Sequence, residues 1–487
     1  MSSMSSQEAW SGKIFVGNWA EGSGGRAPVI EPATGAEIGV TGIATVGDVN
    51  DAAERAASAQ RIWSSMSFDK RAAVLYEAAS LLKARTELVN FWNIRECGSI
   101  SAKAQWELDA AYDQILAAAA LPMQATGMLF PSAMPGRTNT WRRIPIGVVG
   151  VIAPWNFPLL LAIRSIAPAL ALGNAVILKP APQSTVTGGA LLASLFADAG
   201  LPEGVLQVLP GDASVGDAVV RHPAINMISF TGSTDVGRQI GEICGRLLKK
   251  CSLELGGNNP MIVLADSDID GAVSCAAWGA FLHQGQICMQ TGRHIVHRSV
   301  AHEYATKLAE RARRLVVGNP GTSDVHIGPL IDARQAERVH RIVIESIDAG
   351  AELVVGGSRR GNFFEPTVLM NVAPQMSAFQ KEIFGPVAPI TVFDSVDEAI
   401  EIVHASEYGL AAAVHSRSIP AAMTIADRLR SGMIHINDQT VNNEFHVPFG
   451  GMGASGNGGR FGGPANVEEF TQTQWISAID KPVQYPF

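Results

Sequence analysis

One of the five cysteines in this chain is placed for chemistry. In FLHQGQICMQTGR, Phe281 to Arg293, the helical pattern of AVSCAAWGAFL gives out at Gly285, so Cys288 falls on a Gly- and Gln-bracketed turn just outside a helix. A thiol there is within reach of solvent, and nearby main-chain N–H dipoles favour the thiolate, the form that attacks carbon. Cys244, Cys251 and Cys275 lie in periodic apolar context and read as small core fillers, while Cys97 fits either description. In LELGGNNP, Glu254 closes an apolar strand directly before two glycines. A carboxyl group partly desolvated at a strand end has its pKa raised toward the range of a general base. The glycine pair admits a ligand or another backbone at close range. In PWNFP, Asn156 is held between prolines and aromatics at a strand-to-helix turn. A rigid amide suits an oxyanion and contributes roughly 3 kcal/mol per donor; an Asn bonding its own turn is the plainer description.

Two further segments point to a bound anion. FTGSTDVG, Phe230 to Gly237, follows the strand INMISF and opens a helix, where main-chain N–H groups cradle a pyrophosphate and Ser233 adds a hydroxyl. Its spacing is not G-x-G-x-x-G, so it is no generic dinucleotide fingerprint. LKPAP sets Lys179 at the end of another strand, facing a ribose or phosphate, or simply water. His294 and His297, three apart on a strand, point to opposite faces, and no metal site is read. PFGGMGASGNGGRFGG lacks the G-K-[ST] ending of a phosphate loop and is read as a close-packed loop near a ligand or an interface.

These residues need elements to hold them. VGDVNDAAERAASAQRIW and SFDKRAAVLYEAASLLKAR, within a helix-rich stretch from 47 to 120, carry apolar positions at three- and four-residue spacing. From Gly147 the texture becomes short apolar runs (VVGVIA, NAVILK, GVLQVLP, INMISF) separated by helical segments. Runs without in/out alternation are strands buried on both faces, and interleaved helices make the sheet parallel. NPMIVLA, RHIVHR, APITVF, AAAVHS and GMIHIN repeat the texture. The expected fold class is therefore α/β, with two doubly wound parallel-sheet domains. The Pro-rich segment 129–145 and the alternating VEEFTQTQWISAID are expected to pair as a small protruding β arm of the kind that joins subunits.

With 487 residues, about three times a common domain length of roughly 150, the chain holds two or three cores. Only 17% of residues are charged against 47% apolar, which excludes disorder and implies surface buried between domains or subunits. Lys+Arg 37 against Asp+Glu 45 gives -8, which disfavours nucleic acid or an anionic membrane as partner. Few, odd-numbered cysteines without C-x-x-C argue for a reducing compartment, and MSSMSSQEAW shows no secretory signal, so a cytoplasmic location is expected. Twenty uncharged residues between Arg143 and Arg164 are interrupted by Pro145, Pro154, Asn156 and Pro158 and read as strand, turn and helix.

In this order, PWNFP, LKPAP, FTGSTDVG, LELGGN, GQIC, EIFGPV and PFGG resemble the NAD(P)-dependent aldehyde dehydrogenase superfamily, most of all its benzaldehyde and vanillin dehydrogenases, with FLHQGQICM and the ending KPVQYPF as the particular similarities. The resemblance implies oxidation of an aromatic aldehyde to its acid. Cys288 attacks the carbonyl, Asn156 and the Cys288 N–H hold the oxyanion, hydride leaves for the cofactor, and Glu254 activates the water that hydrolyses the thioester. For NAD, or NADP, it implies a site of Ile152, Pro154, Trp155, Lys179, Gly211, Phe230, Thr231, Gly232, Ser233, Val236, Gly237, Leu255, Glu382 and Phe384. For the aldehyde it implies a funnel of Phe157, Leu160, Leu161 and Arg164, which follow i, i+3, i+4, i+7 spacing on one helix face, with Leu282, Ile287 and Met289. Arg164 meets a polar ring substituent at the mouth or pairs structurally.

The implied organisation is a dinucleotide-binding domain of 1–124 and 146–256, a catalytic domain of 257–465, an oligomerisation arm of 125–145 and 466–487, and a homodimer or homotetramer. Two positions depart from the pattern. Pro182 replaces a Glu that grips the adenosine ribose in many relatives, which removes a charge that would repel a 2′-phosphate. Gly453 replaces a frequent Lys and has no assigned consequence. Alternatives are medium-chain aliphatic aldehydes, a CoA-acylating enzyme (against which Glu254 speaks), a cysteine hydrolase pairing Cys288 with His283, and a catalytically idle member.

Overall fold

A computed structural model describes residues 9–487; MSSMSSQE, in which no secretory signal is read, lies outside the described residues. Four helices, Val46–Ser65, Phe68–Ala84, Thr86–Cys97 and Ser101–Ala119, occupy the helix-rich stretch. The first opens on a capping box in which Thr45 and Asp48 satisfy each other's main-chain N–H groups.

The first sheet runs Lys250–Glu254, Met227–Thr231, Val148–Ile152, Ala175–Lys179, Leu206–Val208, Lys13–Val16, Asn18–Glu21. Its first five strands are parallel, as their unbroken apolar runs require. The last two form an N-terminal hairpin that closes the edge antiparallel, a departure from the all-parallel expectation. Register brings the candidate residues to one edge: Glu254 lies beside Thr231, Phe230 beside Ile152, and Ile152 beside Lys179. Ligands of doubly wound sheets bind at that carboxyl edge.

The second sheet runs Glu352–Val355, Thr367–Met370, Val387–Phe393, Thr291–His297, Asn259–Val263, Ala411–His415, Met433–Ile436, and it is parallel except at its first strand. The third is an antiparallel arm of Thr471–Ile479, Arg137–Pro145 and Gly127–Phe130. The fold is thus the expected α/β architecture with two doubly wound sheets and a small β arm. One expectation is corrected: in VEEFTQTQWISAID the first part is the helix Ala465–Phe470 and the strand starts at Thr471. Burial of Val467 and Phe470 selects the helix, and the Phe470 carbonyl accepts from Asn174 Nδ2 at 3.0 Å.

After the second sheet the chain returns to the first. Leu255 N–H donates to Ser455 O at 3.0 Å and Leu253 N–H to Asn457 Oδ1 at 3.0 Å, so the glycine-rich loop packs along the Glu254 strand. The twenty-residue uncharged stretch holds the end of the strand Arg137–Pro145, the strand Val148–Ile152, the PWNFP turn and the first six residues of the helix Pro158–Ala171. Among the described residues no helix is long and apolar enough to cross a membrane.

Candidate active site

Cys288 follows a backbone break. The helix Ile269–Phe281 ends in the tight turn Leu282–Gly285, where His283 (φ 47°) and Gln284 (φ 57°) are both left-handed, a strained pair that the surroundings must impose. Gln284 Nε2 donates to the carbonyls of Gly98 and Pro329 at 2.9 and 2.8 Å, and Gln286 Oε1 accepts from Ile331 N–H at 3.0 Å. Asn259 Nδ2 donates to the carbonyls of Cys288 and Gln290 at 2.9 and 2.7 Å, fixing the peptide planes around the thiol. The second glycine of LELGG allows this approach: a Cβ on Gly257 would lie 2.3 Å from Cys288 O.

Asn156 is buried, and its Nδ2 donates to Gln286 O at 2.9 Å, which leaves one amide hydrogen uncommitted. A network that the sequence did not reveal grips its main chain. Lys103 Nζ donates to Asn156 O at 2.9 Å and to Glu107 Oε2 at 2.5 Å, and Glu107 Oε1 accepts from Leu159 and Leu160 N–H at 2.9 and 3.1 Å. Glu107 thereby caps the helix Pro158–Ala171, whose own first residues offer no cap. Asn93 Nδ2 completes the Glu107 shell at 2.7 Å. All three side chains are buried.

Glu254 ends its strand with both carboxyl oxygens buried and without a hydrogen-bond partner. Burial pushes its pKa up to about 8, against the pull of the Arg164 and Arg460 charges. That is the direction expected of it. For Cys288 the direction is reversed. Burial pushes the thiol up to about 12, Arg164 offsets part of this, and the Glu254 and Glu382 charges add to it. The favourable N–H dipoles inferred from the turn are outweighed by desolvation in the free protein.

Cys288 is half-buried in the wall of a cavity of about 420 Å³, and every residue assigned to the aldehyde funnel lines it: Phe157, Leu160, Leu161, Arg164, Leu282, Ile287 and Met289. Trp106, Trp278 from the helix before the Cys288 turn and Phe449 from the PFGG loop, which was read as lying near a ligand or an interface, join them. A larger hollow of about 510 Å³ beside Trp10 and Arg85 contains none of the candidate residues. Arg164 packs its guanidinium on the Phe449 and Phe461 rings, at 4.5 and 5.1 Å, while its Nε and Nη2 lack hydrogen-bond partners. His283 is buried and held neutral by burial and the Lys103 charge; it packs on the Phe157 ring at 5.3 Å and makes no hydrogen bond to the thiol.

The anion-binding candidates gather at the sheet edge. Ser233 precedes the helix Thr234–Leu247 with no side-chain cap bond, so its hydroxyl is uncommitted. Gly237 packs so closely on Leu255 that a Cβ would sit 2.2 Å from its Cδ2. Lys179 is buried, which lowers its pKa to about 8, and the Asp212 charge offsets part of that shift. From the second sheet's side, Glu382 Oε1 accepts from Gly257 N–H at 2.9 Å, and burial raises its pKa to about 7. Phe384 (φ 55°) meets Trp155 edge-on at 5.5 Å. Arg338 clamps this segment by donating to Glu382 O and Ile383 O at 2.6 and 2.8 Å, and it too was invisible in the sequence. Thus thiol, amide and carboxyl group lie between an apolar cavity and a polar, glycine-lined edge.

The model of the aldehyde dehydrogenase family matches residues 19–476. The chain is 59% identical over 481 residues to a benzaldehyde dehydrogenase [NAD(+)] of Pseudomonas putida, with 99% of each covered. It is 51% identical over 481 residues to a vanillin dehydrogenase of Amycolatopsis sp., again with 99% of each covered. A solved structure of betaine aldehyde dehydrogenase from Staphylococcus aureus in complex with NAD+ superposes with a TM-score of 0.96 at 29% identity, covering 100% of this chain and 98% of that one. A thiol, an amide and a raised carboxyl group arranged on this architecture, matched along nearly the whole sequence, mean that the chain belongs to the aldehyde dehydrogenase family.

Proposed function

We propose that the protein oxidises aromatic aldehydes of the benzaldehyde or vanillin type to carboxylic acids with NAD. The observation that carries this reading is Cys288 in the wall of a mostly apolar cavity, with the Asn156 amide and the unpaired Glu254 carboxyl group beside the same loop. The benzaldehyde and vanillin relatives support the substrate class.

In this reading Cys288 adds to the carbonyl carbon, and the resulting oxyanion takes hydrogen bonds from Asn156 Nδ2–H and the Cys288 N–H. The tetrahedral carbon can then release hydride, which it held too tightly as an aldehyde. NAD(P), when bound, supplies the hydride acceptor. Glu254 accepts the proton of the water that opens the thioester on Cys288, and acid leaves. The site fits such a cofactor: the close Gly237–Leu255 packing keeps the strand-to-helix edge open, and Lys179 brings a buried cation to it. Ile152, Pro154, Trp155, Gly211, Phe230, Thr231, Gly232, Ser233, Val236 and Leu255 complete its binding edge, with Glu382 and Phe384 on the nicotinamide side. Pro182 leaves room for NADP as well as NAD.

Residues 1–124 and 146–256 would form the dinucleotide-binding domain and 257–465 the catalytic domain. Residues 125–145 and 466–487 would form an arm joining a homodimer or homotetramer in the cytoplasm. Exposed Leu129 and Trp475 on the arm support that role.

Mixing purified protein with benzaldehyde and NAD is expected to yield NADH and benzoate in the absence of CoA. The reading fails if acid forms only with CoA, or if Cys288→Ala retains full turnover. An apolar cavity also admits medium-chain aliphatic aldehydes, and their rates measured in parallel decide between the two.

A further inference from the structure

Two glycines set how closely the helix Thr234–Leu247 lies on the strand Lys250–Glu254. A Cβ on Gly237 would sit 2.2 Å from Leu255 Cδ2, and one on Gly241 would sit 3.3 Å from Leu253 Cδ1. Gly237, Gly241 and Cys244 follow i, i+4, i+7 spacing on one helix face, while Leu255, Leu253 and Cys251 alternate on one face of the extended segment. The next rung of this ladder sets Cys244 against Cys251. Between them the chain reverses through Leu248, left-handed at φ 54°, and Lys249 N–H donates to Cys244 O at 2.9 Å. A covalent link between two short side chains demands close backbones, and the glycines permit them.

The two thiols meet. Cys244, fully buried, donates its thiol hydrogen to Cys251, which holds the pKa of Cys251 below its ordinary value while that of Cys244 is raised. Cys251 is only half-buried, and Asn457 Nδ2 donates to its Sγ at 3.4 Å and to its main-chain carbonyl at 2.8 Å. A core filler needs neither hydrogen-bond donors on its sulfur nor access to solvent. A reachable, more acidic thiol beside a second, buried one is the arrangement of an attacking and a resolving cysteine.

We propose that Cys244 and Cys251 are a site of reversible covalent modification, a dithiol that hydrogen peroxide closes to a disulfide, and that closure slows the step served by Glu254. Cys251 attacks one peroxide oxygen: an S–O bond forms, the O–O bond breaks, and the other oxygen leaves as water with the thiol proton. Cys244 then attacks the Cys251 sulfur: an S–S bond forms, the S–O bond breaks, and a second water leaves with the Cys244 proton. Two thiols give up two electrons and one peroxide takes them.

The connection to turnover runs through Asn457, which also accepts from Leu253 N–H at 3.0 Å through Oδ1. A Cys251 sulfur drawn to Cys244 gives up its Asn457 donor, and Glu254 stands three residues further along the same strand. Misplacing a catalytic group by about 1 Å costs up to about 10²-fold. This kinetic half rests on Glu254 as the general base; the disulfide itself does not.

The chemistry is tested in Cys288→Ala, where the proposed nucleophile cannot react with peroxide. Cleavage after Glu242, Arg246, Lys250 and Glu254 separates the two cysteines from each other and from Cys275. Mass spectrometry is expected to find the peptides 243–246 and 251–254 joined after treatment with hydrogen peroxide and parted by dithiothreitol. Two free thiols, or a Cys251 that is oxidised without joining Cys244, overturn the proposal. In the wild type, peroxide should lower steady-state turnover by about 10- to 100-fold, reversibly, with the first burst of NADH kept. Cys251→Ala and Cys244→Ala should escape that loss, and an equal loss in a variant that folds assigns it to Cys288 and overturns the switch. If neither variant folds, the peptide map still decides. A joined pair with the burst lost as well keeps the disulfide and removes Glu254 as the step it governs, so the two readings fail separately.

Discussion

The Asn156 side chain donates to the carbonyl of Gln286, two residues before Cys288, at 2.9 Å. This bond ties the turn after one strand of the first sheet to the loop that presents the thiol. One N–H of the amide is spent on positioning, and the other, uncommitted, would serve an oxyanion at Cys288 in the mechanism proposed above.

Asn156→Ala is accordingly expected to lower kcat by about 10²- to 10³-fold, the usual cost of one oxyanion donor. Thiol alkylation of Cys288 by iodoacetamide should continue in the variant. A kcat within a few-fold of wild type would show that the amide serves the loop alone.

Glu254, with its pKa raised to about 8, is protonated at neutral pH and becomes a base as pH climbs through that value. Steady-state turnover should therefore rise with pH up to about 8 and level off above it. In Glu254→Gln that limb should vanish and turnover should fall by about 10²- to 10⁴-fold. A burst of one equivalent of NADH per site should remain, because the thioester still forms. Rapid-mixing absorbance at the NADH band reads both effects, and a missing burst would move Glu254 to an earlier step.

Lys103 and Glu107 form an ion pair with side chains 1% and 0% exposed. Lys103→Met strands a buried carboxylate and should destabilise the fold by about 3 to 5 kcal/mol. Lys103→Met/Glu107→Gln removes that charge yet keeps an acceptor for Leu159 and Leu160, and should recover part of the loss. Urea denaturation followed by fluorescence measures both.

On the arm, Leu129 and Trp475 are 79% and 71% exposed. If they seat a second subunit, Leu129→Arg should shift the protein to a smaller species in sedimentation, with its secondary structure intact.

Legibility in the sequence followed the range of the interaction. The strands beneath the site were readable because burial on both faces writes an uninterrupted apolar run, as in AVILK and MISFT. The Cys288 turn was readable because Gly285 and its Gln neighbours stop a helical pattern. The Lys103–Glu107 pair was not: an i, i+4 pair on a helix looks the same whether it faces solvent or Asn156. The direction of the Cys288 shift was misjudged for the same reason, since the burial that dominates it is a property of the folded chain, and the Glu254 and Glu382 charges that add to it are remote in sequence. VEEF alternated like a strand, but contacts made by Phe470 with a distant helix end decided otherwise.

Because Leu253, Glu254 and Leu255 are stitched to Asn457, Gly456 and Ser455, the polypeptide is sewn back onto its own first half. A gene bisected near codon 257 would yield an amino-terminal piece in which Glu254, the proposed general base, lacks its flanking support and a carboxy-terminal piece holding Cys288, the proposed nucleophile, alone. Turnover would reappear only if the two fragments found each other, which makes that seam a natural cut for a split-enzyme reporter.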